Sequence, residues 1–505
     1  MRTEWLIPAL VVAPLAALAG DLSPESQFTS PTNEMQRFNA SYKNEFMAVE
    51  QSIPVIPVSK MPSENQFTPP PYHEILRFNE NYEYLSDPAL RLDLFDPLKY
   101  IPLRTNAPDW YLTLGGGLRE RFEGTYNPNF GIGGTSPNSV WLQRITFLGD
   151  LHLGDRLRFF AEGISGVTTG EGQAAPPVQE DPIDLQFAFV DVLPYLNDDE
   201  SLTVRVGRFG LSLGAGRLVA TRAAPNIPFR FDGAELLGSW SQWSVTAFLT
   251  RPVEDNGGIS GSNPATTFWG LYLTRWFDTP HKLGVDLYYL GINNQQASYA
   301  SGTGKEQRQS FGARFFGSRN QWDWDEENIL QCGRFGDQSI LAWTASLDGG
   351  YTFDATWQPR LGLKVDAASG DHNPNEGPQG TFDALYFKSA YFNDASLLRP
   401  QNIIDVHPNL GLKLTQAVSV DGGADVFWRY SRNDGVYSVP GFISVPALDS
   451  ASAYVGTALD INLEWQIERH LTFGASYVHF FSSSYVHDAG GKDVDYVSTT
   501  LSFLF

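Results

Sequence analysis

The 505-residue sequence contains one cysteine, Cys332, and only four methionines. A lone thiol forms no internal disulfide and supplies no thiolate metal cluster. Beyond the first twenty residues, no stretch reaches the eighteen unbroken apolar positions of a spanning helix. If the chain crosses a membrane it must do so as a barrel, because only helices and closed barrels satisfy the backbone in hydrocarbon. Charged residues make up 18%, and 35 Lys and Arg face 57 Asp and Glu, for a formal net charge of −22. The basic surface that nucleic acid requires is therefore missing. This acidity does not indicate a cationic ligand, since loop carboxylates are usually just solvated. There is no G-x-S-x-G elbow. His152, His281, His372, His407, His470, His479 and His487 show no zinc spacing along the chain, and no cofactor is expected.

What is present is aromatic residues, at 13%, and 47 glycines. This fits interfacial girdles and tight turns. The mean hydropathy of −0.23 does not argue against a membrane, because a barrel strand alternates apolar and polar residues and averages out. Residues 1–19 read as a signal peptide: Arg2, an apolar run from Trp5 to Leu18, and a small-x-small site at Ala17-Leu18-Ala19 before Gly20. Residues 20–105 read as a polar, proline-rich periplasmic extension with an internal duplication. Gln27-Phe28-Thr29, Arg37-Phe38-Asn39 and Tyr42 reappear as Gln66-Phe67-Thr68, Arg77-Phe78-Asn79 and Tyr82. Two copies are too few for a solenoid. The extension is a docking arm for a periplasmic partner, a plug, or a plain tether.

From Trp110 onward the pattern is strands, and residues 106–505 form the expected barrel. At the C-terminus, Val497, Leu501, Phe503 and Phe505 share one face while Tyr496, Ser498, Thr500 and Ser502 share the other. Leu118 and Phe122 alternate with Arg119 and Arg121. Ile145 and Phe147 alternate with Arg144 and Thr146, and Phe159 and Ala161 with Arg158, Phe160 and Glu162. Val455, Leu459, Ile461, Leu463, Trp465 and Ile467 oppose Asp460, Asn462, Glu464 and Gln466. A soluble sandwich also alternates, so length decides. These runs of roughly ten to fourteen residues exceed usual globular strands and match a tilted membrane strand. Strand starts are expected near 109, 139, 155, 182, 200, 231, 242, 266, 281, 307, 320, 338, 357, 402, 418, 451, 470 and 493, about 18 in all. Short turns such as Gly154-Asp155, Ser241-Gln242 and Thr279-Pro280 alternate with long loops such as Asn127–Pro137, Thr169–Asp181, Asp255–Pro264, Asn294–Lys305 and Ser369–Leu398. Unequal ends of this kind are the topology of outer-membrane barrels.

Two stretches carry a family resemblance. One runs from Val206-Gly207-Arg208-Phe209 through Gly214-Ala215-Gly216-Arg217-Leu218-Val219, Arg222 and Asn226 to Phe231-Asp232-Gly233-Ala234. The other holds Ser369-Gly370-Asp371-His372-Asn373-Pro374, Thr381-Phe382, Tyr391-Phe392, His407-Pro408 and Phe427-Trp428-Arg429-Tyr430. With the entry segment Asp96-Pro97-Leu98-Lys99-Tyr100, they resemble the alginate-export family of outer-membrane proteins over roughly residues 80–505. The resemblance implies a monomeric up-and-down barrel of 18 antiparallel strands in the cell outer membrane. Such a barrel contacts lipid and lipopolysaccharide, and its closing strand is read by the barrel-assembly machinery. It also implies an arginine-lined lumen that passes an anionic polysaccharide. Fold carries over better than substrate. Export of an acidic exopolysaccharide such as alginate and uptake of small anionic solutes both stay open.

Alternation also selects the residues that would meet such a solute. Arg119, Arg121, Arg144, Arg158, Arg205, Arg314, Arg360, Lys364, Lys413 and Arg429 point inward, and Arg208 joins Arg217, Arg222 and Arg230 beside a glycine-rich irregular stretch that sits in the pore or at its rim. A ring of Arg or Lys favours anions, and guanidinium forks match carboxylates. The bland alternative is that these cations pair with the inward acids Glu123, Asp150, Glu162, Asp286, Asp366, Asp425, Asp460 and Glu464 and brace the wall. Asp371-x-Asn373-x-Asn375 resembles the start of a calcium loop, but Gly377 falls late and Phe382 stands where Glu is needed. A polar loop is the better reading. Ser476 and His479 fall on opposite faces, against a hydrolytic pair, and no enzyme activity is expected.

Overall fold

The computed structural model describes residues 73–134, 137–170, 178–197, 200–255, 258–278, 282–439, 441–448 and 452–505. The leader at 1–19, the rest of the extension to residue 72 with its first repeat copy, the Thr279-Pro280 turn and His281 lie outside the described residues.

A two-residue strand, β1 (Ile101–Pro102), precedes the barrel. The wall then runs through β2 (Trp110–Tyr126), β3 (Asn138–Leu153), β4 (Leu157–Thr169), β5 (Asp181–Leu196), β6 (Glu200–Phe209), β7 (Phe231–Trp240), β8 (Trp243–Pro252) and β9 (Thr266–Asp278). It continues with β10 (Lys282–Tyr299), β11 (Gly302–Arg319), β12 (Trp322–Phe335), β13 (Gln338–Thr352), β14 (Arg360–Ala368), β15 (Ile403–Lys413) and β16 (Val418–Arg429). A small hairpin, β17 (Val436–Tyr437) and β18 (Ile443–Val445), interrupts it before β19 (Tyr454–Glu468), β20 (Leu471–Ser482) and β21 (Val494–Leu504). Each wall strand pairs antiparallel with its neighbour in sequence, and β21 pairs back onto β2, closing an 18-strand barrel.

Strand starts fall within a few residues of the sequence-based expectation. The widest gap is β11, which begins at Gly302 instead of near 307. The reason corrects one expected loop. Asn294–Lys305 is not a long connection, because β10 and β11 rise together to a tight hairpin at Tyr299 and Gly302. The short turns keep their chemistry: Gly154 between β3 and β4 has φ +80, which glycine adopts without cost.

The faces follow the alternation. Leu118, Ile145, Phe147, Leu249, Leu347 and Ile461 are exposed on the outside. On the alternate positions of the wall strands, Thr113, Arg121, Asp150, Glu162, Asp425 and Asp460 are buried inside. Trp243, Trp322 and Trp465 stand exposed near the short-turn end and Trp141 near the other, as girdles do. Val455 departs from its expected outward face and is fully buried. The register shifts where Phe427 faces Gly456 and Trp428 faces Tyr454, so Val455 is the extra residue of a bulge and turns inward.

The seam needs more than β21. Register places Leu504 opposite Gly117, so the first residues of β2 extend past the last strand. The incoming segment covers that edge. Ile101 and Pro102 pair with Leu112 and Tyr111. Lys99 Nζ donates to the Leu114 carbonyl at 3.1 Å, and Thr113 Oγ1 donates to the Lys99 carbonyl at 2.6 Å. An uncovered edge here would leave unpaired backbone groups beside hydrocarbon.

Phe147, on the outer face at mid-strand, tests the sidedness. Phe147→Arg is expected to lower unfolding free energy in lipid vesicles by about 2–4 kcal/mol, and the inward Thr146→Ser by under ~1 kcal/mol. Equal losses by urea titration would reverse the faces.

Candidate functional site

The lumen is not an open tube. Two segments fold into it from the long-loop end: 210–230, between β6 and β7, and 369–402, between β14 and β15. They join as a short parallel bridge at Val219 and Tyr386. The Ala220 N–H donates to the Tyr386 carbonyl at 2.8 Å, and the Lys388 N–H to the Gly216 carbonyl at 2.9 Å. Val219 and Ala384 are fully buried there, and Tyr386 packs edge-on against Phe231 and Phe229. The irregular stretch around Arg217 thus lies in the pore and not only at its rim.

The expected site residues face this interior and divide into two groups. Most pair with carboxylates. Arg121 meets Glu123 at 2.6 Å and Asp394, from the inserted 369–402 segment, at 3.0 Å. Arg158 is forked onto Asp150 and also reaches Asp191. Arg205 binds Asp191 at 2.8 Å and Glu235 at 3.4 Å. Arg208 holds Asp232 at 2.7 Å. Arg314 joins Asp325 and Asp286, and Arg217 crosses from its loop to Asp325 and Glu327. Arg360 is forked onto Asp323, and Lys364 pairs with Asp366 at 3.4 Å while donating to the Tyr391 carbonyl. Arg230 pairs with Asp184 and Asp255. Burial of these charges requires such partners.

Arg119, Arg144 and Arg429 form the second group. Among the described residues none of the three has a carboxylate within ion-pair distance. Arg119 and Arg144 are cross-strand neighbours on β2 and β3. Both donate to the Ala223 carbonyl; Arg144 also reaches the Pro225 carbonyl at 2.7 Å, and Arg119 the Asn226 amide oxygen at 3.0 Å. They clamp the 210–230 loop and bring two like charges side by side. Each keeps a buried Nε without a partner. Arg429 donates to the carbonyls of Arg432 and Ser452 and lies 3.6 Å from the centre of the Tyr485 ring. Arg222 stacks on Phe229 at 3.7 Å with φ +53. Lys413 ends β15 at the short-turn rim.

At the short-turn end the chain's own lead-in packs against the inner wall. Residues 73–100 fold as single turns against it. Phe78 is buried between Phe160, Phe187 and Phe189 in edge-to-face contacts, under the Arg205 guanidinium at 4.6 Å. Arg158 donates to the Phe78 carbonyl at 2.6 Å. Arg77 donates to the carbonyls of Gly116 and Phe505, pinning the segment to the seam. Glu80 gathers Arg77, His73 and Tyr82. Burial alone would raise its carboxyl, but the Arg77 guanidinium overrides this and holds it at about 2. These residues belong to the second repeat copy, so part of the expected extension enters the short-turn mouth, where it can act as a stopper. The sequence leaves plug, docking arm and tether open, and no motif separates them.

Other sequence candidates resolve simply. Ser476 donates to Asn462 and His479 bonds Asp495, so the two do not meet. Asp371 accepts from the Asn373 N–H as an ordinary Asx turn. Sequence reasoning missed Asp394 and Tyr391, inserted groups that answer Arg121 and Lys364.

A family model described as alginate export matches residues 110–500. No curated protein matches the sequence. Among solved structures, the chain resembles OpdK of Pseudomonas aeruginosa with vanillate at TM-score 0.54 and 10% identity, over 78% of this chain and 98% of that one. It resembles P. aeruginosa OccK2 (OpdF) in complex with glucuronate at TM-score 0.51 and 10% identity, over 79% and 97%. OccAB4 of Acinetobacter baumannii gives 0.52 and 11% identity, over 78% and 97%. At such identities the likeness is one of fold, and that fold is an outer-membrane porin barrel.

Arg77→Ala removes the link between the stopper and the seam. In planar bilayers the variant is expected to show at least a twofold higher mean conductance than the unsubstituted chain. Unchanged conductance would mean that residues 73–100 do not limit the path.

Proposed function

The chain belongs to the alginate-export family and forms an outer-membrane channel; from that premise we propose that it exports an acidic exopolysaccharide, such as alginate, along its arginine-lined lumen. The carrying observation is the Arg119–Arg144 pair, two cations that among the described residues bind only neutral loop oxygens. A passing carboxylate would gain there what the structure withholds elsewhere, because a guanidinium already forked onto an acid has little left to offer. Arg121, Arg158, Arg205, Arg208, Arg314, Arg360 and Lys364 set the field around the path, and Arg121 and Lys364 also hold the inserted 369–402 segment. Arg429 lies beside Tyr485 toward the long-loop end. Exchange among several weak sites moves a polyanion, whereas one strong site would trap it.

Uptake of small anionic solutes is the second reading. It is favoured by the two barrels of like fold described with vanillate and glucuronate, both carboxylates. The fold likeness supports a carboxylate as solute without deciding its size or direction. In the export reading the 73–100 stopper opens when a periplasmic partner draws it aside; in the uptake reading it limits solute size.

Planar-bilayer recordings under a KCl gradient test the charge reading. Arg119→Glu and Arg144→Glu are each expected to lower the chloride-to-potassium permeability ratio several-fold, and Arg360→Gln to change it little. A cation-selective channel indifferent to both reversals would remove the support for an anionic substrate.

A further inference from the structure

Three neighbouring strands bring together His407, Asp425 and Asp460, all inward and buried. Register places His407 across from Asp425, since Val406 pairs with Val426 and Asn409 with Gly423. Gly423 in turn pairs with Asp460. A Cβ on Gly423 would stand 2.2 Å from His407 Nε2. The missing side chain is what lets the imidazole lie across β16 and reach β19. His407 Nδ1 is 3.1 Å from Asp425 Oδ1, and Nε2 is 3.5 Å from Asp460 Oδ1. One donor atom from each residue falls within 4.8 Å of the others. An ion takes only one of the two imidazole nitrogens, so the side chains must draw in from this spacing to the roughly 3.3 Å that separates donors around a tetrahedral ion with bonds near 2.0 Å.

Two further observations point to a ligand. Both imidazole nitrogens, Asp425 Oδ1 and Asp460 Oδ1 are buried without any hydrogen bond, although the residues are only 3%, 0% and 8% exposed. The surroundings are also short of positive charge. Lys364 pairs across the sheet with His407, and Asp366 with Asp405. Asp405 is fully buried and neither of its oxygens is hydrogen-bonded. Even with His407 protonated, Asp366, Asp405, Asp421, Asp425 and Asp460 outnumber Lys364, His407 and the Arg217 guanidinium near Asp366. Buried carboxylates left uncompensated are costly.

We propose that His407, Asp425 and Asp460 bind one transition-metal dication of the zinc or manganese class, tying β15, β16 and β19 together at the lumen wall. An imidazole beside carboxylates suits these ions, whereas calcium takes oxygen donors alone. A small cavity lined by Arg360, Lys364, Asn409 and Asp421 adjoins His407. Chain spacing could not reveal the set, because each ligand comes from a different strand. The site stands independently of which solute the channel carries.

The test is calorimetric titration of the untagged, metal-stripped full chain in detergent with zinc chloride and, separately, manganese chloride. One ion per chain is expected for at least one of the two, with affinity reduced at least tenfold in His407→Gln and in Asp425→Asn. Calcium chloride should give no competing signal. X-ray absorption at the zinc edge of the unsubstituted chain, which does not depend on the variants folding, should show one imidazole among oxygen ligands. Absence of stoichiometric binding, unchanged affinity in both folded variants, or an all-oxygen shell would overturn the proposal.

Discussion

Every backbone donor and acceptor facing hydrocarbon has to be answered from within the chain, and the structure depends most on how that is done at the seam. β21 closes onto β2 but stops at Leu504, opposite Gly117, before the first residues of β2 are covered. Gly116 and Phe505 exchange backbone hydrogen bonds at 3.0 Å each, and beyond them the chain's own lead-in takes over as β1 and Lys99. The segment that seals the wall is continuous with the one that enters the mouth. Arg77 makes the link, donating to both carbonyls at the junction. The barrel seam and the segment at the mouth are thus parts of one arrangement.

The same demand for partners orders the lumen. Inward cations and inward acids alternate across neighbouring strands, and most cations find an acid there or on an inserted loop. Loops 210–230 and 369–402 are held by side chains from opposite parts of the wall, with Arg217 reaching β12 and Asp394 answering Arg121 on β2. The interior is consequently narrow, polar and cross-braced. Where bracing fails to neutralise charge, it fails with both signs: cations remain at Arg119 and Arg144, carboxylates around Asp405 and Asp460. On the proposed readings, the first is where an anionic solute gains most and the second is where a metal ion does.

Much of this was legible in the sequence, for a physical reason. A strand between lipid and water must alternate, so Ile461 and Asn462 declare their sides by chemistry alone, and wall strands are set out by turn residues such as Gly154. The family resemblance rested on the two inserted loops together with the wall strands β6, β7, β15 and β16 that flank them. What stayed hidden depends on positions far apart in sequence. Alternation says that Arg144 and Arg158 both point inward, but not that one meets loop carbonyls and the other Asp150. It cannot foresee the bulge that turns Val455 inside, since one extra residue inverts the phase. Nor can it show that Arg77 and Phe78 enter the barrel, because nothing in a polar arm names its receptacle.

The central claim is that this lumen favours a chain of carboxylates over a neutral sugar of equal size. Reconstituted into vesicles loaded with fluorescent oligouronate or with a neutral oligosaccharide of the same length, the full chain should release the uronate faster. Equal release, or faster release of the neutral sugar, would contradict it.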